Sequence, residues 1–447
     1  MKKKLIFALA TINILQSCGG SSSSTPEPPS VPIEYNFSLT SQLTNKCGVK
    51  SAFTDVQLLV QDNSWQTLET HEANDDGIIN FVTTNEFINY TLITQNQQGN
   101  ENKGLNIVSF YQAHSATPSH YQAQFDNKLD NSSCECIKQN LSLSHRPFSE
   151  QTSVNSSLPF DNWQALNDST TLFEGVEVCR VIGQDWPLHS FSVSGQDPNQ
   201  KVIAVAEFSN TFDSNEAVLW SLSAFQVADN EELPLPHQSF ITNQLIDDTQ
   251  HFLTGVDETQ PNLLIFDTHP YISEAYYQSR ATQEFGESSS IFGSSVVKTH
   301  QQIITSDAAS SFVVKAATEK PPIDDRNFSE IQADGSYNYS AVTGFPMAIV
   351  SFTFTTFDPE TQLLMPAKWT NFGPQLGNLA ISGPLTGYEE IINLQTNKKS
   401  TNVMLINSAM ANDYQDYISH FQSASNLIQG IEFNKKLDQV EINIELN

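Results

Sequence analysis

Apolar residues recur at every second position along much of this chain. Val56, Leu58 and Val60 alternate with Gln57 and Gln61 around Leu59. Val218, Trp220 and Leu222 alternate with Ser221 and Ser223, and Val350, Phe352 and Phe354 with Ser351, Thr353 and Thr355. The tail is the cleanest case, with Val440, Ile442, Ile444 and Leu446 set against Glu441, Asn443, Glu445 and Asn447. Successive side chains of a strand point to opposite faces, so each run predicts a strand with one buried and one polar face. That is the signature of antiparallel sheets rather than parallel ones buried on both sides. Turn signals at Asp76-Gly77, Asp334-Gly335 and Asp358-Pro359 punctuate the runs. A helical period shows over 412–421, where Tyr414, Tyr417, Ile418 and Phe421 share a face. The pattern predicts a mainly β protein of antiparallel, sandwich-like domains with one short amphipathic helix near the C-terminus.

Shifts in composition divide the chain into a leader over 1–17, a Gly/Ser- and Pro-rich tether over 18–33, a sandwich over 34–143 and a linker over 144–160. A β-rich domain over 161–320 and a second over 321–447, with the helix near 412–421, complete it. The break between them is placed at the polar, Pro-containing stretch from Glu319 to Asp325, and 161–447 as one domain is the alternative. With 447 residues and 49.7 kDa the chain is long enough for several cores. Charged residues are only 16%, while aromatics reach 10%, which excludes general disorder. The 50 acidic against 21 basic residues disfavour nucleic-acid binding and electrostatic docking on anionic lipid.

Lys2, Lys3 and Lys4 precede an apolar stretch over 5–15. As a helix it would be about 16 Å long, half of a bilayer's hydrocarbon core, so it reads as an export signal and not as a membrane anchor. Leu15-Gln16-Ser17-Cys18 resembles the lipobox of bacterial lipoproteins. The resemblance implies cleavage before Cys18 and lipidation of that residue, and Gly19, in place of a retention aspartate, implies the outer membrane. The flexible Gly/Ser tract and the stiffer Pro-rich run after it suit a spacer that holds a folded body off a surface. The partners expected are therefore the membrane, through this N-terminal lipid anchor, and an envelope protein or glycan.

Within 34–143, the strand over 56–60, the turn Asn74-Asp75-Asp76-Gly77 leading into Ile78-Ile79-Asn80-Phe81, and the run Tyr90-Thr91-Leu92-Ile93 resemble the transthyretin-like or carboxypeptidase-regulatory-like β-sandwich. That resemblance implies adhesion, scaffolding or partner contact.

Four cysteines remain, Cys47, Cys134, Cys136 and Cys179, an even number in an exported chain. A Cys134–Cys136 ring would be very tight, so the expected bridges join Cys47 to one of that pair and Cys179 to the other. Redox and zinc sites favour other spacings.

The search for catalytic or cofactor chemistry yields little. The EF-hand needs a glutamate six residues after the loop glycine; Thr83 stands there after Gly77, so a plain β-turn accounts for Asp76-Gly77. The acid pairs Asp247-Asp248 and Asp324-Asp325 read as solvated loops. His114 and His120 are six apart, not the four of helical zinc ligation. Asp267-Thr268-His269 ends an apolar run and would permit an Asp–His dyad, as chance would also produce. Among the tryptophans, Trp163 and Trp186 sit in polar, loop-like sequence and are the binding candidates. No catalytic residue, metal ligand or cofactor is expected. The leading expectation is an outer-membrane-anchored lipoprotein that binds or scaffolds; the alternative is a lipid-anchored hydrolase of glycan or peptide.

Overall fold

A computed structural model describes residues 32–447 except 100, 210–211, 213–218, 224–225, 233–238, 248, 257–261, 267–273, 291–292, 306–316, 324–334, 358–362, 380–384, 389–397, 424–434 and 447. Cys18 and the lipobox, Asp248, the Asp267–His269 dyad, Asp324-Asp325, Asp334 and Asp358-Pro359 lie outside the described residues. Backbone order in the N-terminal third runs β1 (Tyr35–Thr44), β2 (Lys50–Ala52), β3 (Val56–Gln61), β4 (Thr67–Glu72), β5 (Ile78–Thr83), β6 (Phe87–Gln98), β7 (Glu101–His114), β8 (Ser119–Gln122) and β9 (Cys134–Ser144). The middle third adds β10 (Glu150–Ser156), β11 (Asn162–Asn167), β12 (Thr170–Val181), β13 (His189–Gln196), β14 (Val202–Ser209), β15 (Leu219–Ser223), β16 (Gln226–Glu232), β17 (Ser239–Asp247), β18 (Thr249–Val256), β19 (Asn262–Phe266), β20 (Glu274–Ser290) and β21 (Gly293–Thr305). The last third holds β22 (Ser336–Asn338), β23 (Met347–Phe357), β24 (Leu364–Pro374), β25 (Leu376–Asn378), β26 (Lys398–Ser408), an α-helix (Tyr414–Ser423) and β27 (Lys436–Leu446). The protein is mainly β and largely antiparallel, as the alternation predicts.

A twelve-stranded sheet organises the molecule, in the order β18-β17-β20-β21-β27-β26-β23-β24-β7-β6-β3-β4. It draws strands from all three expected folded segments. The junction is a parallel pairing of β7 with β24, Leu105 opposite Ala367 through Phe110 opposite Phe372. The strands of 34–143 thus continue directly into those of 321–447. Alternation explains why both faces are buried. Val350, Phe352 and Phe354 enter one core with Ile107, Trp369, Val403 and Ile442, while Met347 enters the other with Leu58, Tyr90, Phe110 and Ile406.

The second of these cores is roofed by the small sheet of β1, β2, β5 and β8 and by the helix, through Phe37, Leu39, Ile79, Tyr417 and Ile418. This makes the N-terminal segment a two-layer sandwich, closed at one corner by the turn before β5. There Gly77 has φ 71°, and a Cβ would come within 2.3 Å of the Ser41 carbonyl oxygen. The Asn74 carboxamide oxygen accepts from the Asp76 and Ile78 backbone N–H groups, so the turn satisfies itself.

A separate sandwich packs the sheet β11-β12-β9-β15 on the sheet β10-β13-β14-β16-β19. Its core joins Leu141, Leu143, Phe173 and Val178 to Phe191, Val193 and Val205. The segment 144–160, read as a linker, contains β10, which pairs with β13. Likewise β9, expected to close the first sandwich, belongs to the second, where it pairs with β12. The polar, serine-rich sequence Glu150–Ser156 conceals a strand because its neighbours in the sheet, not its own apolar content, hold it there.

Candidate functional site

One of two disulfides ties the sandwiches together and the other lies within the second. Cys47–Cys134 joins the loop after β1 to the start of β9, and Cys136–Cys179 spans directly opposed residues of β9 and β12. This is one of the two pairings left open by the sequence. Glu177 lies close to the Cys136 and Cys179 sulfurs, but both are committed to the bridge.

A cleft of about 670 Å³ opens at one end of the N-terminal sandwich. Its floor is built by Ile93 in β6, Leu105 in β7 and Met365 in β24, which share one core, and Val56 at the start of β3 stands at its edge. Gln57, Gln95, Thr54 and Glu72 line it with polar groups. One wall is the short 3₁₀ turn Asp126–Lys128, which carries Lys128 into an ion pair with Asp55. The same ammonium lies 5.2 Å from the ring centroid of Phe125 and 6.0 Å from that of Phe53. Tyr388 lines the cleft as well. Burial, and then the Glu72 carboxylate, push its phenol pKa upward, so it is a neutral hydrogen-bond donor at any physiological pH. The Gln57 carboxamide oxygen is buried with no hydrogen-bond partner. An apolar floor edged by amides, hydroxyls and a neutral phenol suits a ligand with both apolar faces and hydroxyl or amide groups.

The cleft is remote from where the chain enters the fold. Tyr35, at the start of β1, packs its ring edge-on to His114 at the far end of β7. Leu105 and His114 are nine residues apart on one strand, a separation of about 30 Å.

The sequence-based candidates fall elsewhere. Trp186 is buried at 7% exposure in the core of the second sandwich, and the Arg180 guanidinium sits 4.2 Å from its ring centroid. Trp163 is half-buried on β11, opposite Phe173. Trp65 and Trp369 are core residues, and β15, which carries Trp220, pairs in parallel with β9. His114 and His120 occupy different strands, β7 and β8.

A second polar constellation escaped the sequence reading. On β21, His300 is 8% exposed; its Nε2 lies 3.1 Å from the Glu441 carboxylate of β27, and its Nδ1 lies 2.9 Å from the Thr282 hydroxyl of β20. Asn402 donates to both Glu441 and Asn443. The His300 hydrogen bond, helped by Asn443 and Asn402, holds the Glu441 pKa down at about 2 against the opposing effect of burial.

No family model matches this chain, and no curated protein matches it. Among solved structures, two B repeat units of the collagen-binding protein CNA of Staphylococcus aureus align at 9% identity with a TM-score of 0.13, covering 86% of this chain and 98% of that one.

Proposed function

We propose that the protein is a lipid-anchored outer-membrane lipoprotein that binds or scaffolds an envelope protein or glycan without transforming it. The observation that carries this reading is the placement of the cleft, about 30 Å along β7 from the point where the tether joins the fold. With Cys18 acylated, the tether would hold the sandwich off the bilayer and leave that cleft facing away from it. The lining supports a ligand such as a sugar, which has apolar ring faces to lay on Ile93, Leu105 and Met365 and hydroxyls for the polar edge.

A second reading, a hydrolase of glycan or peptide, draws on His300. It stands between a carboxylate and a hydroxyl, the order acid, base, hydroxyl found in nucleophilic hydrolases. Co-sedimentation of the detergent-solubilised full chain with isolated envelope glycan separates the two. The binding reading expects retention in the pellet, loss of at least tenfold in affinity with Tyr388→Ala, and a constant amount of insoluble glycan over hours. Time-dependent release of soluble fragments that stops in His300→Gln would establish the hydrolase instead. Absence of any association with glycan or envelope protein would overturn the binding reading.

A further inference from the structure

We propose that a second pocket, on the other side of the long sheet from the helix, binds a primary ammonium group carried on a short apolar stem. The pocket has a volume of about 240 Å³. Its floor is the paired strands β21 and β27, where Thr299 lies opposite Val440 and Gln301 opposite Asp438. Because side chains two apart share a face, Thr299, Gln301, Asp438 and Val440 all point to the same side. Phe345 and Pro322, from the segments that cross above the sheet, complete the recess.

Three features specify the ligand. Thr299 is only 6% exposed and its hydroxyl oxygen is buried with no hydrogen-bond partner. A polar atom so placed costs about 1–3 kcal/mol unless something arrives to pair with it. Asp438 is half-buried, with Gln301 and Asn407 opposite it on the two flanking strands, and that burial raises its pKa against the favourable effects of Lys436 and the Asn407 side chain. A carboxylate short of solvent gains more from an incoming cation than an exposed one does. Val440, Phe345 and Pro322 add apolar wall beside the polar Gln301 and Thr343, a mixed lining that suits a cation carried on an apolar stem better than a fully hydrated ion. Thr299 and Asp438 are diagonal neighbours across the strand pair, about 7 Å apart at the backbone, a span that two side chains and one ammonium can bridge. The ammonium would donate to both while its methylene stem lies against Phe345. The overall excess of acidic over basic residues, a net charge of −29, further favours a cationic ligand.

Such a group reaches the pocket either as a free amine or as the lysine side chain of a partner. Saturation-transfer NMR on the full chain at pH 8, with n-butylammonium, with a blocked Gly-Lys-Gly peptide and with n-butanol, tests the proposal and tells the sources apart. Transfer to butylammonium but not to butanol is expected, with at least a tenfold loss of affinity in Asp438→Asn. Transfer to the peptide as well assigns a lysine of a protein partner, and transfer to the free amine alone assigns a small molecule. Thr299→Val keeps the side chain's shape and removes the unpaired hydroxyl. It is expected to fold at least as stably as the parent while binding the amine more weakly. Equal transfer to butanol, or binding unchanged in both variants, would overturn the proposal, as would no transfer to either amine.

Discussion

At the scale of single residues, the interior is stitched by polar groups as much as by apolar ones. Trp369 donates its indole N–H to the Ser109 hydroxyl at 2.9 Å, Ser109 meets Thr91 at 2.7 Å, and Thr91 donates to Gln61 at 2.6 Å. Gln61 then donates to the Trp65 carbonyl, which ends a buried chain whose members satisfy one another. Trp369→Phe leaves the Ser109 end of that chain without its donor, and a loss of about 1–3 kcal/mol is expected in urea unfolding. Two carboxylates should bend the pH dependence of stability in opposite directions. Glu441 has its pKa lowered to about 2, so the stability it supplies is present above its unfolded value of about 4.5 and fades as pH falls toward 2. Glu207 has its pKa raised to about 7 by burial, and one carboxylate oxygen is buried without a partner. Its ionisation therefore opposes folding, increasingly as pH rises from 4.5 through 7. Thermal melts from pH 2.5 to 8.5 check both: Glu441→Gln should flatten the acid limb, and Glu207→Gln should raise stability at pH 8 and leave it unchanged at pH 4. Neither site was legible in the sequence. His300 and Glu441 are 141 residues apart, and the tail's alternation marks Glu441 only as polar, not as half-buried beside an imidazole.

At the scale of elements, alternation located strands well and said little about their neighbours. The tail matches its expected face at Val440, Ile442 and Ile444, all buried in one core. The helix, expected over 412–421, begins two residues later at Tyr414, with the Asp413 carboxylate accepting the Asp416 backbone N–H. Its inner face differs from the expected one in its last turn. Gln422 is buried and donates to the Tyr90 hydroxyl at 2.6 Å, while Phe421 lies against Phe372 and stays 42% exposed. Hydrophobicity alone ranks Phe above Gln, whereas the buried phenol rewards an amide. The Tyr414 hydroxyl reaches the carbonyls of Tyr111 and Phe372, one on each side of the parallel junction. Tyr414→Phe is expected to cost about 1–2 kcal/mol and to speed hydrogen exchange in β7 and β24 together. The disulfides belong to this scale as well. Cys47–Cys134 closes a loop of 87 residues, which in the chain-entropy picture contributes about 4–5 kcal/mol. The paired Cys47→Ser and Cys134→Ser change should lower the urea midpoint while leaving Cys136–Cys179 intact by mass mapping.

At the scale of the whole molecule, the parallel pairing of β7 with β24 decides what folds with what. The divisions suggested by Pro-rich and polar stretches follow local composition, which carries no record of pairings between positions 105 and 367. The stretch 317–323 is free of strands, yet β21 before it pairs with β27 after it, so the long sheet runs past that break. Expressed alone, residues 34–143 would expose the edge of β7 and one apolar face around Ile93, Leu105 and Ile107. That fragment is expected to show no cooperative unfolding transition, whereas the chain from 34 to 447 should. Strand β7 also sets the cleft and the start of β1 at opposite ends of its length. The account of function rests on the second of these ends being tied to a membrane through Cys18. The most direct test is the mass and membrane fractionation of native protein beside a Cys18→Ser variant. Acylation and membrane retention that both vanish with Cys18 are the predicted result. A protein that is soluble and unacylated whether or not Cys18 is present would contradict it.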